Sequence, residues 1–166
     1  MTFRCGICGK DHEEPLTDQA FTLPDDVWAI PEEERKAKAK WTEDLCQFGN
    51  RYFIRCLLPI PFTEREGEFG WGVWLEVEWP IFERYLKVFA QDATDESPAI
   101  GALANEIPIY DSSIDLPATM RFGTASQRPT VWFSEEAQHA CAREQRTGID
   151  DRRYHEIVDG LSVKKH

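Results

Sequence analysis

Apolar and polar residues alternate most cleanly between Phe69 and Trp79. Phe69, Trp71, Val73, Leu75, Val77 and Trp79 fall on one side of an extended chain, and Gly70, Gly72, Trp74, Glu76 and Glu78 on the other. A period of two predicts a core strand with one dry face and one wetter face. Just upstream, Leu45-Cys46-Gln47-Phe48 and the run from Arg51 to Ile60 are separated by Gly49-Asn50, which predicts a hairpin with a two-residue loop. Such a loop sets the register, with Phe48 opposite Arg51, Gln47 opposite Tyr52, Cys46 opposite Phe53 and Leu45 opposite Ile54. Counting outward, Cys46 shares a side of the sheet with Phe53 and Arg55, and Cys56 shares the other with Tyr52 and Ile54. The two thiols are therefore not expected at one site unless a bulge intervenes.

Helical periods flank these strands. Pro31-Glu32-Glu33-Glu34 places proline and acids in a first turn and predicts a helix to about Trp41, with Lys36, Lys38 and Lys40 near its end. Pro80 suits the first turn of a helix from Ile81 to about Ala90 that buries Ile81, Phe82, Tyr85 and Phe89. Ser134 can cap a helix running to Thr147 before Gly148. A last helix from about Asp150 lines up Tyr154, Ile157, Val158 and Leu161. Leu116–Phe122 and Thr130–Phe133 are predicted strands, Phe3–His12 a short strand and tight turn, Phe21–Ile30 irregular, and residues 99–113 carry mixed signals. Strands gather in the middle and helices toward the C-terminus. That order predicts an α+β fold: an antiparallel sheet of about five strands with helices packed on one face and a zinc-knuckle-like turn at the N-terminus. One domain is expected over residues 1–163, with 1–15 as the knuckle-like segment within it and 164–166 as a tail.

Composition narrows the function classes. The 166 residues are 42% hydrophobic and include six tryptophans, enough packing material for a single folded core. Nineteen basic against thirty acidic residues leave a formal net charge of -11, which repels phosphate backbones and anionic membranes. A basic protein partner would be attracted by the same field. No run of apolar residues is long enough for a membrane span and Met1-Thr2-Phe3-Arg4-Cys5 lacks a signal-peptide core, so a cytoplasmic protein is expected.

Five cysteines is an odd number, and Cys5-Gly6-Ile7-Cys8-Gly9-Lys10 has the form of a zinc knuckle. Two thiolates from one turn reach one ion, and the glycine after the second lets backbone N–H groups approach the sulfurs. That is half of a tetrahedral site, and His12, Cys46, Cys56, Cys141, His139 and His155 are the candidates to complete it. The alternative for the pair is two reduced, unligated thiols. A thioredoxin-like redox pair fits poorly, because Gly9 to Pro15 is a poor helix start. His12-Glu13-Glu14 follows the cysteines where the deaminase element precedes them, and no H-E-x-x-H motif, nucleophile elbow, Walker loop or dinucleotide fingerprint is present. His139 and Cys141 stand two apart on an expected helix and point away from each other. Gly70 and Gly72 read as sites of close packing, and Trp74 as an aromatic covered by a neighbouring loop.

Cys5-Gly6-Ile7-Cys8-Gly9-Lys10-Asp11-His12, Asp44-Leu45-Cys46, Phe69-Gly70-Trp71-Gly72-Val73-Trp74 and Glu144-Gln145-Arg146-Thr147-Gly148-Ile149 together resemble a bacterial family catalogued as domain of unknown function 2199. The resemblance spans nearly the whole chain in the same order, and the F-G-W-G-V-W block is its most specific part. It implies that Cys5, Cys8, His12 and Cys46 stand on matching positions and are joint metal candidates. Ala140-Cys141 departs from the Pro-Leu of the family pattern. No activity is implied.

These readings converge on a non-enzymatic cytoplasmic protein with a structural Zn2+ held by Cys5, Cys8, His12 and Cys46, acting through a protein partner and not on nucleic acid or membrane. The alternatives are a zinc-dependent hydrolase-type enzyme and an acidic immunity-type protein that binds a basic toxin. The sequence does not set the oligomeric state.

Overall fold

The computed structural model describes residues 2–4, 11–13 and 17–163, with side chains described over 17–161. Its spine is the long hairpin of β6 (Arg51–Pro61) and β7 (Glu68–Val77), antiparallel over ten paired positions from Tyr52↔Val77 to Pro61↔Glu68. Register puts Ile54 with Leu75, Cys56 with Val73, Leu58 with Trp71 and Ile60 with Phe69 on one side. Phe53 with Glu76, Arg55 with Trp74, Leu57 with Gly72 and Pro59 with Gly70 lie on the other.

Each outer edge of this hairpin is shared by two strands. Along β6, residues 51–54 pair with β5 (Leu45–Phe48), and Leu57 pairs with Thr130 of β10 (Thr130–Trp132). Along β7, residues 70–72 pair in parallel with β3 (Asp18–Ala20), and Leu75 and Glu76 pair with β8 (Ala99–Leu103). The predicted β5–β6 register is the observed one, with Gly49 at φ +60 in its loop. β4 (Ala39–Trp41) extends that hairpin beyond β5. A separate pair joins β1 (Thr2–Arg4) to β2 (Asp11–Glu13).

The open antiparallel sheet with helices on one face is not what forms. β8, β9 (Pro117–Arg121) and β10 continue from β7 as an antiparallel meander, and β10 then returns to pair in parallel with β6. The five strands close into a mixed barrel. The physical reason is parity: a meander of an odd number of strands brings its last strand beside the first pointing the same way, so the closing seam must be parallel. Pairing places Val73, Leu75, Ala99, Leu103, Ala118, Met120 and Val131 on the inner face, all buried. Five strands leave a narrow interior, and small residues fit it: a Cβ on Gly101 would lie 2.6 Å from the Glu76 carbonyl oxygen and 2.8 Å from the Leu75 side chain.

Pro59 is tolerated within β6 because the amides of Arg55 and Leu57 already take the outer-edge acceptors, and β10 pairs no further along. The expected wet face of β7 is dry. Trp74 is 0% exposed, its Nε1–H donates to the Phe21 carbonyl at 3.1 Å, and its amide donates to Asn105 Oδ1 at 2.8 Å.

The helices are α1 (Asp25–Trp28), α2 (Glu32–Lys38), α3 (Trp79–Val88), α4 (Ala140–Thr147) and α5 (Asp151–Val163). The helix expected to reach Trp41 stops at Lys38, because Ala39–Trp41 is drawn into pairing with β5. That expected from Ser134 starts at Ala140, capped by the His139 ring, whose Nδ1 accepts from the Cys141 amide. Of the stripe expected on α3, Phe82 and Tyr85 are buried and Ile81 is half-buried, but Phe89, just past the helix end, is exposed; on α5, Tyr154 and Ile157 are buried and Val158 and Leu161 half-buried.

Candidate functional site

Where β5 leaves β6 and β10 joins it, the sheet edge parts. The Arg55 amide donates to the Asp44 carbonyl at 3.0 Å and the Leu57 amide to the Pro129 carbonyl at 2.8 Å, so Cys56 lies at the division. A cleft of about 910 Å³ opens there. Its apolar wall is Tyr85 and Phe89 from the α3 end and Phe122 after β9, and its charged groups are Arg55, Arg128, Asp44 and Glu68. Arg128 Nε bonds Asp44 Oδ1 at 2.7 Å, tying one lip to the other.

Arg55 is different. Its guanidinium lies across β7, 5.9 Å from the centroid of the Trp74 ring. Gly72 makes that path possible, since a Cβ there would sit 2.8 Å from Arg55 Nη2 and 2.8 Å from the Ala20 Cβ. Arg55 Nε is buried and has no hydrogen-bond partner. Burial pulls the Arg55 pKa below its ordinary value, Arg128 adds to the fall, and Asp44 and Glu43 work against it. Four other half-buried arginines have acidic partners: Arg51 bonds Glu76 and Asp26, Arg65 bonds Asp151, Arg153 bonds Glu144 and Glu156, and Arg84, whose Nε is likewise buried without a hydrogen bond, lies 3.5 Å from Glu96.

The described thiols are poor nucleophiles. Cys56 is 0% exposed and burial drives its pKa far up; burial likewise pushes Cys46 and Cys141 up to about 12. His139 is used structurally, with Nε2 donating to the Asp111 carbonyl at 2.6 Å while Nδ1 accepts from the Cys141 amide. His155 lies 3.2 Å from Asp159 on α5.

Of the sequence-predicted metal ligands, Cys5 and Cys8 lie outside the described residues. His12 is placed only as a backbone position on β2, opposite Phe3. Cys46 is buried on β5, opposite Phe53 and Trp41. Cys56 belongs to the other side of β6, as predicted. Among the described residues, no group of three or more His, Cys, Asp and Glu is arranged to hold a metal ion. Sequence reasoning missed Arg55 and Arg128. A signal for Arg55 existed: it is a lone charge inside the otherwise apolar run Tyr52-Phe53-Ile54-Arg55-Cys56-Leu57-Leu58.

A family model described as uncharacterized protein conserved in bacteria, DUF2199, matches residues 4–149. The chain belongs to this family. The match takes in the Cys5–Cys8 pair, the whole of the barrel and both lips of the cleft. No curated protein and no solved structure matches the chain significantly. Among the described residues no helix is long and apolar enough to cross a membrane.

Proposed function

We propose that this chain is a non-enzymatic, cytoplasmic binding protein that docks a basic protein partner on its acidic surface. The observation that supports it most is on α3. The helix buries Phe82 and Tyr85 yet leaves Trp79 and Leu86, two turns apart on one face, 44% and 38% exposed. Exposed Glu78 and Glu83 border them, with Lys87 3.9 Å from Glu83, and the chain carries a net charge of -11. An apolar anchor bordered by two acids on a strongly acidic chain favours a basic polypeptide with an apolar residue at its centre, the chemistry an immunity-type protein would use on a basic toxin. The test is a photo-crosslinking residue placed at Trp79 in the producing bacterium, with one at exposed Glu66 as control. An adduct with a basic protein at position 79, absent at 66 and lost in Glu83→Lys, is expected. No adduct, or equal adducts at both positions, rejects the reading.

The same proposal includes a structural zinc on Cys5, Cys8, His12 and Cys46. Its support is the backbone around the motif: Arg4 on β1 pairs with Asp11 on β2, so the Cys-Gly-Ile-Cys segment joins two antiparallel strands, the setting a knuckle requires. Cys5→Ser should lose zinc and thermal stability together, whereas Cys141→Ser should keep the metal. Wild-type protein with less than about 0.2 zinc per chain, or one melting point with and without a strong chelator, ends this part of the proposal.

A further inference from the structure

The cleft at the division of the sheet goes beyond the partner surface and shares neither Trp79 nor Leu86 with it. Its dimensions are those of a small-molecule pocket, with aromatic rings on one wall and a polar wall that includes four charged side chains. Among those groups one is unmatched. Arg128 and Asp44 neutralise each other at 2.7 Å, while Arg55 has a buried Nε without an acceptor and no ion pair among the described residues. The buried Nε cannot meet a ligand itself, but Arg55 lines the cleft and its guanidinium, held over Gly72 and Trp74, has no ion pair among the described residues, which leaves its outer N–H groups as a receptor for a planar anion.

We infer that the cleft binds a small carboxylate bearing an aromatic or branched aliphatic body, with its carboxylate on Arg55 and its body against Phe89 and Phe122. A monoanion fits better than a phosphate dianion. The lining carries two arginines and two carboxylates, so among the described residues there Arg55 is the one cation free to meet a ligand, and Glu68 and the already paired Asp44 would oppose a second negative charge. Phe89, 48% exposed at the mouth, would be covered by the bound body. Cys56 contributes shape and no chemistry, since its thiol is wholly buried.

The test uses full-length protein and three probes: 3-phenylpropionate, 3-phenylpropan-1-ol and inorganic phosphate. Binding is followed by 1H-15N NMR at the arginine Nε–H signals and the backbone amides. Saturable shifts at Arg55 Nε–H and at the amides of residues 55–57 are expected for 3-phenylpropionate, with the alcohol at least about tenfold weaker and phosphate not saturating. Arg55→Gln should lower the carboxylate to the affinity of the alcohol. Phe89→Ala, at an exposed position that leaves the fold intact, should weaken carboxylate and alcohol alike. Equal binding of acid and alcohol, phosphate binding as tight as the carboxylate, shifts confined to other regions, or no saturation by about 20 mM would each overturn the inference. If Arg55→Gln does not fold, the acid-to-alcohol ratio and the effect of Phe89→Ala decide the matter. These outcomes are independent of a crosslink at Trp79 and of zinc content.

Discussion

Asn105 holds the segment before α1 against the barrel, and replacing it separates two kinds of loss. The residue is 0% exposed; its Oδ1 accepts the Trp74 amide at 2.8 Å, and its Nδ2 donates to the Leu23 carbonyl at 3.0 Å and to Asp25 Oδ1 at 2.9 Å. Asn105→Ala leaves the Trp74 N–H and the Leu23 carbonyl without partners in a dry site. At about 1–3 kcal/mol for each orphaned group, the expected loss is about 3 kcal/mol, or a fall in Tm of about 6–12 °C for a chain of this length. Asn105→Asp keeps the acceptor for Trp74 but sets a second carboxylate against that of Asp25. Burial and like charge raise the folded pKa of the new acid above its unfolded value of about 3.9. The sign follows: below about pH 4 the group is neutral in both states and the variant suffers least, and its deficit grows as pH rises toward the folded pKa. Thermal melts of wild type and both variants from pH 4.5 to 8 check this. The reasoning fails if Asn105→Ala melts within about 3 °C of wild type, or if the Asn105→Asp deficit is constant or shrinks as pH rises.

Gly72→Ala drives a methyl to 2.8 Å from both Ala20 and the Arg55 guanidinium, so a loss of about 1–3 kcal/mol is expected, and hydrogen exchange should show loosening at β3 and not at β9. Burial raises the Cys141 thiol from 9.0 to about 12, so its contribution to stability is whole below pH 9 and is lost as pH rises toward 12. The stability difference between wild type and Cys141→Ala should therefore narrow between pH 8.5 and 10.5, and a difference that widens refutes it. Glu144 Oε1 accepts from both the Tyr110 hydroxyl at 2.7 Å and Arg153 Nε at 2.9 Å; Glu144→Leu strands both donors and should lower Tm by at least about 4 °C in a denaturation series.

Elements with a local cause were legible. The Gly49-Asn50 loop and the runs beside it define the β5–β6 pairing, and the apolar spacing of α3 and α5 names most of the residues they bury, Phe89 at the end of α3 being the exception. Barrel closure has no local cause: it depends on Thr130 meeting Leu57, and nothing in Pro129-Thr130-Val131-Trp132 distinguishes a seam from an open edge. Two segments were overruled by distant neighbours. Ala39–Trp41 has the charge pattern of a helix end but becomes a strand because β5 offers it an unpaired edge. Gly72, Trp74 and Glu76 alternate as a solvent-facing row would, yet Phe21 and Asn105 cover the middle of that row.

The candidate site shows why register decides what a sequence can disclose. A two-residue loop permits one pairing, so the opposed placement of Cys46 and Cys56 follows from counting positions along the chain. The connection from β6 to β7, residues 62–67, is too long to impose a register, and pairings shifted by two residues would satisfy the same alternation. Only the observed one sets Arg55 opposite Trp74, Leu57 opposite Gly72 and Pro59 opposite Gly70. The glycines then acquire distinct purposes. A Cβ on Gly70 would come within 2.6 Å of Leu57 Cδ1, and one on Gly72 within 2.8 Å of the Arg55 guanidinium. Thus the Phe69-Gly70-Trp71-Gly72-Val73-Trp74 block that marks the family does more than pack a core strand: one glycine admits an apolar side chain, the other clears a path for a charge. A shift of two residues would put Gly70 or Trp74 where Gly72 stands, and the unpaired guanidinium would lose the bed that holds it at the cleft.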